Sequence, residues 1–227
     1  MNNAKELYID SVQFNYYNGP QLLTGAYLEC RTGEIVGLLG RNGSGKSTFL
    51  KIIFGSLRAQ NSYILINGKK VNKAFLTNKI GYLPQDSYLP THEKVAYLIQ
   101  LLVQDRYQMQ ILLLDPLIIT IKDRKIYQLS GGELRYLEIC LLLYQPTDFL
   151  LLDEPFTGLE PIHMERIGNL ILSFKNKKGF VISDHNYRHV LEITSSIFLL
   201  VNGACRRLRH KRELEFFYVK EGTFDDD

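Results

Sequence analysis

Nine residues, Gly40-Arg41-Asn42-Gly43-Ser44-Gly45-Lys46-Ser47-Thr48, carry the densest chemistry in this chain. They fit the spacing G-x-x-x-x-G-K-[ST], in which a glycine-rich turn opens a helix and aims several backbone N–H groups at one anion. Gly43 and Gly45 permit backbone conformations and a close approach that a side chain would obstruct. Lys46 is then placed to reach the β- and γ-phosphates of a nucleoside triphosphate, and the Ser47 hydroxyl to ligate Mg²⁺. Two apolar runs downstream also end in reactive groups: Phe149 to Leu152 in the acids Asp153-Glu154, and Gly179 to Ser183 in Asp184-His185. An acid pair in isolation can simply cap a helix, and a lone histidine is often a surface residue. With a phosphate loop upstream and Pro155 behind the acids, the chemical reading is favoured. Asp153, first after its run, suits a Mg²⁺ ligand reached through water. Glu154, one step further out, can take a proton from an attacking water.

These groups meet only if parallel strands deliver them. Glu34 to Leu39, just before the glycine-rich turn, is an apolar run of the length a buried parallel strand needs, and Ser47 to Phe54 reads as the following helix. Parallel α/β sheets bind ligands in the crevice beyond the carboxyl ends of their strands. The ends of Glu34–Leu39, Phe149–Leu152 and Gly179–Ser183 should therefore converge, bringing Lys46, Asp153, Glu154 and His185 around one phosphate. Antiparallel strands are expected over Glu6–Phe14, Ala26–Cys30 and Tyr63–Lys69, the last entering an Asn67-Gly68 hairpin turn. Ile80 to Gln85 is a short strand halted by Pro84, and Glu93 to Gln110 is mostly helix-forming, with Val95, Leu98, Ile99, Leu101, Leu102 and Val103 as an apolar stripe. Further elements are a helix from Ser130 to Tyr144, another over Pro161–Lys175, and a hairpin of Ile197–Val201 and Ala204–Leu208. The expected architecture is α/β: a phosphate-loop core with a mixed sheet, an antiparallel β subdomain, and a helical subdomain inserted at about residues 86–145. Without a repeat or a linker, residues 1–227 read as one unit.

Composition sets outer bounds. A chain of 227 residues that is 45% hydrophobic can build one sizeable core. The formal charge of +3 is too small to argue for nucleic acid, and none is expected as a partner. Cys30, Cys140 and Cys205 are far apart without metal-ligand spacing, as free thiols in a reducing compartment are. No apolar run approaches the ~20 residues of a membrane span, and Met1 to Glu6 lacks the apolar stretch of a signal peptide. The acidic tail Asp225-Asp226-Asp227 is expected to be disordered.

One more motif, Leu129-Ser130-Gly131-Gly132-Glu133, completes the set. With it, the whole chain resembles the ATP-binding cassette (ABC) ATPases, the nucleotide-binding subunits of ABC transporters, whose motifs recur here in order. The resemblance implies ATP and Mg²⁺ as ligands. It makes Tyr16 the adenine-stacking aromatic, a contact of about 1–3 kcal/mol by analogy with other base–aromatic stacks. Gln85 becomes a contact to Mg²⁺ and the attacking water, Glu154 the catalytic base, and His185 the holder of the γ-phosphate. It also implies a head-to-tail dimer of two such subunits, expected to be a homodimer, in which Ser130 and Gly132 of one bind the γ-phosphate held by Lys46 of the other, while Thr157 to Glu160 forms the dimer-contact loop. The physical logic is visible in the residues: Ser-Gly-Gly at a helix N-terminus is itself an anion site. An integral membrane permease would be the partner, with this subunit cytoplasmic and peripheral on the inner face of the cell membrane.

Three departures from the family pattern stand out. The dimer-contact loop ends in Glu160 where the family usually has Asp. Leu141 stands where a basic residue is usual, next to Cys140. The span from Gln85 to Ser130, which normally receives the membrane partner, is short. None touches Lys46, Asp153, Glu154 or His185, so an active ATPase is expected. In style, Glu154 to Gly158 and Ile182 to Asn186 are most similar to the ATPases of lipopolysaccharide export and branched-chain amino-acid import. The basic run Cys205 to Arg212 is either a solvated face or a contact to anionic lipid headgroups. The competing function is a non-transport ABC ATPase acting with soluble partners, of the cofactor-assembly type.

Overall fold

The computed structural model describes residues 4–185, 187–219 and 223; Asn186 and the acidic tail lie outside the described residues. Strands β1 (Glu6–Asn15) and β2 (Gln21–Arg31) form an antiparallel pair, and β1 also pairs with β4 (Asn61–Ile66). In β1 the buried residues are Leu7 and Ile9, then Val12 and Phe14. The change of parity occurs at a bulge where Ser11 has φ 56°, which restores the inward face after the kink. The second strand starts at Gln21 rather than at Ala26. Asn67 and Gly68, both with positive φ, turn β4 into β5 (Lys69–Lys70), as their sequence required.

A six-stranded sheet holds the site. Its order is β10 (Ala204–Leu208), β9 (Ser196–Val201), β3 (Ile35–Leu39), β8 (Gly179–Ser183), β7 (Phe149–Asp153) and β6 (Ile80–Leu83). From β9 to β6 every pairing is parallel, and only the edge strand β10 runs the other way. Every residue of β3, β7 and β8 is buried, which explains why these strands read as continuous apolar runs rather than alternating ones. Alternate residues face opposite cores: Leu150, Leu152 and Ile182 on one side, Leu151 and Val181 on the other. Helix α1 (Lys46–Phe54) packs into the second core through Phe49, Leu50, Ile52 and Ile53, beside the β1–β2–β4 sheet.

Between β6 and β7 the chain is helical: α2 (Val95–Leu102), α3 (Arg106–Leu113), α4 (Pro116–Ile121) and α5 (Gly131–Leu143). The helix-forming stretch from Glu93 to Gln110 is thus two helices rather than one. Val103 turns extended, and the Asp105 side chain accepts a hydrogen bond from the Gln108 N–H at 2.9 Å, capping a new start. Leu101, expected in the apolar stripe, is 60% exposed, whereas Val95, Leu98, Ile99 and Val103 are buried. Eight-residue helices do not persist alone in water. Leu98, Ile99 and Leu112 join the core that contains α5, and this burial holds α2 and α3 in place. Asp115 caps α4, whose first residue is Pro116. The remaining helices are α6 (Pro161–Phe174), α7 (Tyr187–Ile193) and α8 (Glu213–Phe217); the last two are too short to have shown a period in the sequence. The basic run lies on and after β10, where Arg207 pairs with Glu29 at 2.6 Å and Arg206 approaches Glu213 at 3.9 Å.

Candidate active site

The parallel strands end where the sequence required. A cleft of about 680 Å³ opens beyond their carboxyl ends and is lined by Asn42, Gly43, Gly45, Lys46, Ser47 and Thr48 from the loop, with Gln85, Glu154, Thr157 and His185 opposite and Tyr16 at its mouth. Gly45 stands before the first turn of α1 with φ 101°, and a Cβ there would meet Leu22 Cγ at 3.1 Å, so the turn into the helix needs glycine. Lys46 is buried and its ammonium donates to the carbonyls of Gly40 (2.8 Å) and Arg41 (3.4 Å). Burial lowers its pKa, while the negative charges of Glu154, Asp153 and Asp184 oppose that fall. Arg41 and Ser44 line the opposite side of the loop with Asn42 and Gly43. The phenol of Tyr16 is paired with the Thr48 hydroxyl at 3.0 Å, and its ring packs edge-on against Phe14.

Asp153 lies beneath the cleft, 1% exposed. One of its oxygens accepts from Ser47 Oγ (3.0 Å) and Ser183 Oγ (2.6 Å), and the other from the Tyr82 hydroxyl (3.0 Å). Burial, reinforced by the neighbouring carboxylate, pushes the Tyr82 phenol up and keeps it a donor. Ser183 and Tyr82 were not among the sequence candidates; they arrive from β8 and β6, the two strands that flank Asp153. Ser47 Oγ and the Asp153 carboxylate are hard oxygen donors in contact, which fits a hard divalent cation. Among the described residues no three His, Cys, Asp or Glu side chains gather as a metal site. A cation here would take most of its ligands from phosphate and water, as Mg²⁺ does at nucleotides.

Glu154 has φ 51°, an uncommon left-handed conformation for a side-chain-bearing residue, and its N–H donates to the Ser183 carbonyl at 2.7 Å. The strand direction is broken at this residue, and its carboxylate joins the cleft lining. Its Oε2 accepts from Gln85 Nε2 (3.0 Å) and from Thr157 Oγ1 (3.2 Å). His185 Nδ1 is 3.3 Å from that same Thr157 hydroxyl and 3.7 Å from Glu154 Oε2. The structure therefore brings Lys46, Ser47, Gln85, Glu154 and His185 around one cleft with Asp153 under it. Thr157, read from sequence only as part of a contact loop, belongs to this cluster.

Ser130, Gly131 and Gly132 do not line the cleft. They start α5, where Ser130 Oγ accepts from the Glu133 N–H (3.2 Å) and Glu133 accepts from the Ser130 N–H (2.8 Å). This reciprocal cap fixes the helix end. Burial works against the Glu133 carboxylate, yet hydrogen bonds from Arg124 and the Ser130 N–H hold its pKa below the usual range. Gly132 lies against the imidazole of His163, the third residue of α6, and a Cβ on it would stand 2.5 Å from the ring. Gly132→Ala should therefore displace the start of α5. Hydrolysis should fall by about 10–100-fold, the scale of a small misplacement, while nucleotide affinity of the single chain stays within about twofold because Gly132 is outside the cleft. Parallel titration with a fluorescent ATP analogue and steady-state rates check this.

A strand, phosphate loop and helix facing an acid pair across a parallel sheet define a P-loop nucleoside triphosphatase. The profile of the ABC transporter family matches residues 23–157, more than half of the chain. The lipopolysaccharide export system ATP-binding protein LptB of Haemophilus influenzae is 32% identical over 201 residues, covering 82% of this chain and 83% of that protein. The chain belongs to the ABC transporter family and is an ATP-binding, ATP-hydrolysing cassette. The fold agrees. A nucleotide-free ATP-binding cassette from an ABC transporter superposes with a TM-score of 0.80 at 22% identity, over 93% of this chain and 94% of that one. A dimeric cassette in a post-hydrolysis state bound to ADP and phosphate gives 0.76 at 24% identity, over 89% and 97%.

Proposed function

We propose that this cassette powers a membrane transporter by closing head to tail with a second copy of itself around two ATP molecules, each with Mg²⁺. The observation that carries the reading is the separation of two anion-binding features within one chain. A phosphate cleft is built around Lys46, while the helix terminus at Ser130–Gly132, whose first-turn N–H groups are suited to an anion, lies outside the lining of that cleft. Each feature is half of a phosphate site, and a second copy in head-to-tail arrangement supplies the other half. In this dimer Ser130 and Gly132 of one copy reach the γ-phosphate held by Lys46 of the other, with Thr157–Glu160 at the joint.

The residues then divide the work. Tyr16 stacks on the base. The loop N–H groups of residues 42–48 and the Lys46 ammonium neutralise the phosphates. Ser47, Asp153 and, at the rim, Gln85 would hold Mg²⁺, which supplies charge neutralisation on the phosphate oxygens. Tyr82 and Ser183 fix the Asp153 carboxylate. Gln85 and Thr157 aim Glu154, whose free lone pairs take the proton of the attacking water. His185 donates to the γ-phosphate and depends on Thr157 for its orientation. Closure requires the γ-phosphate, so hydrolysis reopens the dimer, a ligand-driven rigid-body switch.

Among the described residues no helix is long and apolar enough to cross a membrane. On this reading the membrane component is an integral permease, with this subunit on the cytoplasmic face, a role supported by the likeness to an export-system ATPase. The test uses a tagged Glu154→Gln chain, locked with ATP and purified from gently solubilised membranes. Co-purification of a polytopic membrane protein supports the transporter reading. Recovery in the soluble fraction with soluble partners alone replaces it with the assembly-type function.

A further inference from the structure

Arg135 is a buried cation outside the cleft, set in the second turn of α5, 8% exposed. Its guanidinium makes five hydrogen bonds. Nη1 donates to the Pro84 carbonyl (2.8 Å) and to Glu138 Oε2 (3.2 Å), and Nη2 donates to the carbonyls of Gln85 (2.9 Å), Glu154 (3.2 Å) and Asp153 (3.4 Å). Glu138 is 1% exposed and also accepts from the Tyr88 N–H at 3.3 Å. Arg135 and Glu138 are thus a buried ion pair one turn apart, with the cation free to spend its other donors on backbone.

Those backbone acceptors are not arbitrary. Pro84 and Gln85 follow β6, Asp153 ends β7 and Glu154 follows it; the parallel ladder between the two strands closes at Leu83 and Leu152. Beyond that point the guanidinium spans the two segments. The catalytic contact between Gln85 Nε2 and Glu154 Oε2 (3.0 Å) lies just past this bridge. A planar guanidinium has five donors in a fixed fork and can tie several carbonyls in one plane, whereas an ammonium is a point donor. Its anchor is the same helix that begins with Ser130.

We propose that Arg135 is a positioning residue for hydrolysis: it sets the register between Gln85 and Glu154 and locks both to the helix that carries Ser130–Gly132. A displacement at the start of α5 then reaches the general base through a chain of direct hydrogen bonds. The signature terminus, engaged by the nucleotide of the second copy, and the base that acts on the chain's own nucleotide form one mechanical unit. The inference rests on Glu154 acting as the base.

The test compares Arg135→Lys, which keeps a charge opposite Glu138, in the otherwise native chain and in the Glu154→Gln chain. Alone, Arg135→Lys should lower kcat by about 10–100-fold, the cost of slight misplacement of a catalytic group. The affinity for a fluorescent ATP analogue should stay within about twofold. On the Glu154→Gln background the same change should lower the residual rate by no more than about twofold, because residues acting through one group are not additive. An unchanged kcat in Arg135→Lys overturns the proposal. So does an equal fold-loss on both backgrounds, or loss of ATP binding together with the folded protein, either of which makes Arg135 a residue of general stability. A wild-type rate in Glu154→Gln by itself refutes the assignment of the base instead, so the two failures are told apart.

Discussion

Glu154→Gln should slow ATP hydrolysis by about 10²–10⁴-fold, some 3–5 kcal/mol on the barrier, and leave ATP binding intact. The substitution keeps shape and removes the cleft-lining carboxylate assigned to take the proton from water. Glu154 Oε2 already accepts hydrogen bonds from Gln85 and Thr157, so its reach is set by two neighbours before nucleotide arrives. The φ of 51° at Glu154 adds that the backbone itself is held in an unusual conformation to aim the side chain. Binding should be spared because, in the proposed complex, the loop N–H groups and Lys46 hold the phosphates from the other wall. Single-turnover hydrolysis with a separate binding titration checks the prediction, and turnover at the wild-type rate would refute the role of Glu154.

Lys46→Ala should weaken ATP binding by about 10–100-fold, the loss expected for a hydrogen bond to a charged group of about 1.5–3 kcal/mol. A further cost adds to this one. Glu154, Asp153 and Asp184 all act on the Lys46 ammonium. Without the cation, these acids would face a triphosphate across a partly buried cleft with only the loop N–H groups and Mg²⁺ to offset their repulsion. The fold should survive, because among the described residues the Lys46 ammonium's hydrogen bonds go to the carbonyls of its own loop, Gly40 and Arg41. Fluorescent-nucleotide titration alongside a thermal melt measures both; unchanged affinity in a folded variant contradicts the assignment.

What the sequence disclosed and what it hid divide along local and non-local lines. The phosphate loop, the Ser130 cap and the strand-end acids are short stretches whose chemistry follows from neighbours in the chain, and each stands where its spacing required. Even the break between α2 and α3 had a local sign, since Asp105 with Gln108 three residues on is a capping pattern. Tyr82 and Ser183 could not be found that way: they touch Asp153 only because β6 and β8 flank β7. Nothing in the neighbouring residues marks Arg135 and Glu138 for burial; both are buried, and the Arg135 guanidinium is bonded to the Gln85 segment. The left-handed turn at Glu154 is likewise invisible in residue types, since nothing about a glutamate announces a positive φ.

In the proposed cycle two copies close on ATP and reopen without its γ-phosphate. The most direct measurement is sedimentation of purified Glu154→Gln protein with Mg²⁺ and either ATP or ADP. A dimer carrying two nucleotides is expected with ATP and a monomer with ADP. A chain that binds ATP yet sediments as a monomer with both nucleotides would contradict it.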